Sequence, residues 1–218
     1  MNHRRAIGIA SILVALGPIV FFAIFISWSG AGLSQTDATD PTVAIPFLRT
    51  HGLLLVAPTL NSIVMHLAAI VLAVGLWVSL RERAPLLAAT GAILGILWGV
   101  ADITQSLVMY NAVLSAPTAD PATIDVVTKG VQNTAHLGGG LWTISVVATS
   151  AAFFGRAHRA LGIVAGTVFA LHALIVPVMP QWFYLEYILL PLWFGWTGVA
   201  ILRSPAAASS GELAPAWT

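Results

Sequence analysis

The chain has 218 residues, of which 58% are hydrophobic and only 8% charged, with a net charge of +1 and a mean hydropathy of +0.92. A water-soluble domain carries about a quarter charged residues, so this chain cannot cover itself with polar surface and its expected solvent is lipid. The near-neutral charge argues against nucleic acid as a partner, and a chain without cysteine has no disulfide, thiolate nucleophile, iron–sulfur cluster or cysteine–zinc site.

An apolar run of about 20 residues can cross a bilayer as a helix. Six such runs are present, at 6–28, 52–80, 85–111, 131–155, 159–179 and 183–203. They predict an all-α integral membrane protein, a bundle of six transmembrane helices forming one domain over 1–203. Residues 204–218 are small and polar and are expected to form a disordered cytoplasmic tail. With the N-terminus inside, Arg4, Arg5, Arg81, Arg83, Arg156, Arg159 and Arg203 fall on the cytoplasmic side, and only Arg49 and Lys129 fall outside. This asymmetry predicts that both termini are cytoplasmic and that the location is a cell membrane, of the bacterial inner-membrane kind.

In chain order, the first run is apolar for longer than the roughly 7–15 residues of a signal-peptide core and is read as a span. Residues 29–51 make a long outer loop with Asp37, Asp40, Arg49 and His51. The second span carries Asn61 and a polar face of Thr59, Ser62 and His66. The third carries Gly91, Gly95 and Gly99 along one face, and a polar stripe of Asp102, Gln105 and Ser106. A second outer loop, 112–130, holds Asp120 and Asp125.

The fourth span opens with "NTAHLGGGLW", which sets Asn133 and His136 beside three consecutive glycines. Those glycines are compatible with a close-packing patch, a local break, or space kept clear for a ligand. The fifth span repeats the four-residue glycine spacing at Gly162 and Gly166 and carries His172. The sixth opens with Glu186 after an aromatic belt of Trp182, Phe183, Tyr184 and Tyr187. Small residues four apart let helix backbones approach closely in lipid, and the same faces are candidates for a homodimer contact.

Ionisable groups inside spans cost several kcal/mol, so they tend to face a bundle interior and mark a site. From about 1.5 Å rise per residue, Asp102, His136, His172 and Glu186 are expected in the outer half of the bundle, with His66 deeper. The sequence reading is a pocket for a small lipophilic molecule in the outer half of the bundle, with enzyme activity left open. Asp102, His136 and His172 are its acid–base residues, with His136 or His172 as the partner of Asp102. Asn61, His66, Gln105, Asn133, Trp142 and Glu186 are its ligand-binding residues. A divalent metal is a second expectation, on His136, His172 and Asp102 with Glu186 as a further ligand, although no local zinc motif is present. Two alternatives use the same side chains. One is a b-type haem held by His136 and His172 with Trp98 and Trp142 along the porphyrin; the other is a proton-coupled transporter titrating at Asp102.

Overall fold

The computed structural model describes residues 3–34, 37–116, 118–149, 155–176, 179 and 182–203, and all regular structure among them is helical. The elements are α1 (His3–Gly30), α2 (Pro41–Thr50), α3 (Leu53–Leu80), α4 (Pro85–Ser115), α5 (Pro121–Thr149), α6 (Arg156–Ala170), α7 (His172–Ile175) and α8 (Trp182–Arg203), with a 3₁₀ turn at Asp37–Thr39. Four of these, α1, α3, α4 and α8, are long and apolar enough to cross a membrane. The expected tail at 204–218 lies outside the described residues, as do parts of the expected spans 131–155 and 159–179.

The six longer helices close into a ring. α1 packs on α3, α3 on α4, α4 on α5, α5 on α6, α6 on α8, and α8 returns to α1. The surface of the ring is apolar. On α3, Leu60, Val64, Leu67, Val71, Val74 and Val78 recur at helical spacing and are all exposed, which suits a helix bathed in lipid. The buried polar residues include His66, Asp102, His136, His158, His172 and Glu186. Polar-inward and apolar-outward is the reverse of a water-soluble bundle.

The region read as a second outer loop is mostly helix. α4 continues to Ser115 and α5 begins at Pro121, ahead of the expected start of the fourth span. The cause is local. The Asp120 carboxylate accepts from the Thr123 amide (2.8 Å) and hydroxyl (2.9 Å), and Pro121 supplies a pre-set first turn. The first outer loop does the same on a smaller scale, with Asp40 accepting from the Thr42 amide (2.9 Å) and hydroxyl (2.6 Å) ahead of α2. Both Asp-Pro pairs are helix-start signals that a reading by hydropathy alone passes over. Arg49, at the end of α2, closes the C-terminus of α4: its guanidinium donates to the carbonyls of Val113, Ala116 and Ala119 at 3.3, 3.1 and 2.8 Å.

The glycine faces are occupied within the chain. A Cβ on Gly95 would stand 2.7 Å from the Ala73 Cβ and 2.9 Å from the Trp142 ring. On Gly140 it would collide with backbone atoms of Gly166 and Ala170, so α5 and α6 meet backbone to backbone at that point. Within the triple glycine, Gly139 and Gly140 therefore form a close-packing patch, while Gly138 has room beside it. The triplet neither breaks α5, which is continuous through it, nor lines the cavity described below.

Candidate functional site

A cavity of about 360 Å³ lies inside the ring. Its walls come from α1, the first half of α3, the middle and second half of α4, the first half of α5, the end of α6, and α8. These segments all run toward the end of the bundle that carries α2 and the α4–α5 connection. Aromatic and aliphatic side chains such as Phe21, Met65, Trp98, Phe169, Leu190 and Phe194 make most of the wall. Asn61, Ser62, His66, Asp102, Gln105 and His136 are among its polar members.

Asp102 meets His66, not His136 or His172 as expected. His66 Nε2 lies 3.0 Å from Asp102 Oδ2, and both side chains are buried. Both residues lie near the middle of their helices, Asp102 on α4 and His66 on the neighbouring antiparallel α3, which sets them level with each other. On its other nitrogen, His66 Nδ1 is 2.7 Å from the Ser62 carbonyl, which can only accept. Nδ1 therefore carries a hydrogen. Nε2 is the nitrogen turned toward the carboxylate, and together the two make an imidazole–carboxylate pair. Around it, Ser106 Oγ donates to Ser62 Oγ (2.7 Å), and Gln105 Oε1 is 3.3 Å from Ser106 Oγ.

The second cluster is built on α5, α7 and α8. His172 Nδ1 is 2.7 Å from Glu186 Oε1, and His136 Nδ1 is 3.7 Å from Glu186 Oε2. The two imidazoles touch edge to face, with centroids 4.2 Å apart and planes at 76°. Phe169 covers His136 at 4.4 Å. α5 begins ten residues before its apolar run, so His136 also lies near mid-helix rather than close to an outer end. His172 stands just beyond the end of α6 at Ala170, where the chain turns at Leu171 into the short α7.

The remaining expected residues divide. Asn61 lines the cavity and donates to the Gly17 carbonyl of α1 (2.9 Å). Asn133 is half-buried but not on the cavity wall, where its neighbour Gln132 stands instead. Trp142 is fully buried beneath the cavity, stacked near Trp98 (5.4 Å) and Phe194 (5.7 Å), and serves as core. His158, just ahead of the fifth apolar run, is buried in α6, with Nε2 2.9 Å from the Thr197 hydroxyl. Its spacing of four from Gly162, on the inward face of α6, was the available signal. The haem arrangement finds no support at His136 and His172: axial ligands stand on opposite faces of a macrocycle, and these rings are in direct contact.

Fold and site together define a class: an all-helical protein with four helices apolar and long enough to span a membrane, enclosing a cavity with two buried imidazole–carboxylate clusters. No protein-family model matches the chain, and comparison with curated proteins and with solved structures gave no match.

Proposed function

We propose that the chain is a six-crossing membrane protein with both termini cytoplasmic, which binds a small lipophilic molecule in the cavity and presents to it the proton held between His66 and Asp102. Positive-inside charge and the closed ring of six helices support the topology. The observation that carries the functional reading is the His66–Asp102 pair on the wall of an otherwise largely apolar cavity. A structural ion pair has no need of an adjoining space of this size. A molecule with one polar group fits it, its hydrocarbon part against Phe21, Phe169 and Phe194 and its polar group within reach of Asp102, Gln105 and Ser106. Such a pair can donate or take a proton as a general acid or base.

Solvent extraction of the purified protein followed by mass spectrometry tests this. A molecule in stoichiometric amount, lost in Asp102→Asn and retained in Glu82→Gln, at an exposed residue outside the cavity, is the expected result. Wild type and Asp102→Asn carrying the same extractable content would overturn the reading. Because the chain lacks cysteine, single cysteines placed at Glu82 and Asp125 report topology directly with an impermeant thiol reagent. Labelling of the Asp125 position alone in intact cells is expected.

A further inference from the structure

We infer that His136, His172 and Glu186 form a binding site for a first-row divalent transition-metal ion, separate from the His66–Asp102 pair. One ligand atom from each of the three lies within 4.8 Å of the other two, and all three residues are buried. Two unsatisfied atoms point to an ion. His136 Nδ1 and Glu186 Oε2 are both buried, both without a hydrogen-bond partner, and 3.7 Å apart. A buried polar atom with no partner costs about 1–3 kcal/mol, and here two of them face each other across a gap.

An ion about 2.0–2.2 Å from each donor sets neighbouring ligand atoms roughly 3.0–3.5 Å apart. The observed separations of 2.7 Å (His172 Nδ1 to Glu186 Oε1) and 3.7 Å (His136 Nδ1 to Glu186 Oε2) bracket that range. Small side-chain rotations bring both onto one ion and satisfy the two orphan atoms together. Two imidazole nitrogens with one carboxylate oxygen suit zinc, iron, cobalt or manganese rather than calcium or magnesium, which prefer oxygen donors. Three protein ligands leave at least one position open. His136 and Glu186 line the cavity while His172 lies behind them, so the open position faces the space where a ligand would sit. The expectation from sequence grouped Asp102 with the two histidines; the geometry puts Glu186 there and leaves Asp102 to His66.

The test uses detergent-purified full-length protein carrying a histidine-free affinity tag, stripped with EDTA and titrated with Co²⁺. One Co²⁺ per chain, with visible d–d bands of mixed nitrogen and oxygen ligation, is expected. Glu186→Gln and His136→Gln should weaken Co²⁺ by more than the roughly 10–100-fold that loss of an outer-shell partner costs. His51→Gln, at an exposed histidine outside the cavity, should leave the affinity within a factor of about three, and because Co²⁺ uptake is read without any extracted molecule, this result stands or falls apart from the ligand reading above. If Glu186→Gln does not fold, His136→Gln and the wild-type stoichiometry decide. Wild type that takes up no Co²⁺ at the site, or equal affinity in wild type and the folded ligand variants, would overturn the assignment.

Discussion

His66 and Asp102, from antiparallel neighbours α3 and α4, stand 3.0 Å apart at matching depth in the bundle, and the Ser62 carbonyl holds the other imidazole nitrogen at 2.7 Å. Three groups on two helices thereby fix the orientation of the His66 ring. Removing either partner leaves the other buried without its counter-charge, a loss of roughly 3–5 kcal/mol. Asp102→Asn and His66→Gln should each lower the thermal midpoint in detergent. The double variant should lose clearly less than the sum of the two. Strict additivity in that double-mutant cycle would show that the pair is not coupled.

Gly138 and Gly140 make a matched comparison within one helical turn. A methyl on Gly140 runs into the backbone of α6, which has no rotamer through which to yield, whereas the nearest atom to a methyl on Gly138 is 3.7 Å away. Gly140→Ala should cost about 1–3 kcal/mol or prevent assembly, and Gly138→Ala should be close to neutral. Monodispersity by size exclusion and the thermal midpoint read the contrast. Similar behaviour of the two variants would contradict the α5–α6 contact.

Arg49 closes the end of α4 with three carbonyl contacts. Arg49→Ala should cost about 2 kcal/mol and accelerate amide exchange in the last turn of α4. Arg49→Lys should recover less than half, because an ammonium on a flexible stem lacks the planar fork that spans several carbonyls. Hydrogen exchange of the peptide covering 110–116 is the direct measurement.

Asp40 and Asp120 start α2 and α5, and the hydrogen bonds each accepts from a threonine hold its carboxyl below the ordinary value of 3.8. A depressed carboxyl stabilises the fold above its unfolded value, and that contribution disappears as pH falls through the folded one. Fraying at the start of α5 should therefore appear only below about pH 4. In Asp120→Asn the helix start should stay protected and lose this pH dependence, since asparagine caps nearly as well without titrating; in Asp120→Ala it should fray at every pH. Limited proteolysis between 116 and 125 across a pH series distinguishes the three. Cleavage of wild type that does not change with pH would remove the capping role.

Much of the bundle is legible in the sequence itself. Helices occupy all six apolar runs within the described residues, and five of the buried polar groups of the interior, at 66, 102, 136, 172 and 186, are ionisable side chains that stand out in an apolar chain. The helix starts at Asp40 and Asp120 were legible too, through their Asp-Pro pairs, but hydropathy alone marks only where a chain is apolar and not where a helix begins.

What composition by itself determined was the solvent and the kind of structure: a chain with 8% charged residues has to satisfy its backbone internally, and helices do so one segment at a time. Which imidazole meets which carboxylate was decided only in three dimensions. Side-chain pairing depends on helix packing, relative depth and ring order: the packing of α3 on α4 sets His66 against Asp102, while α5, α7 and α8 bring His136 and His172 to Glu186. Those quantities come from contacts between helices, which no single run of residues contains.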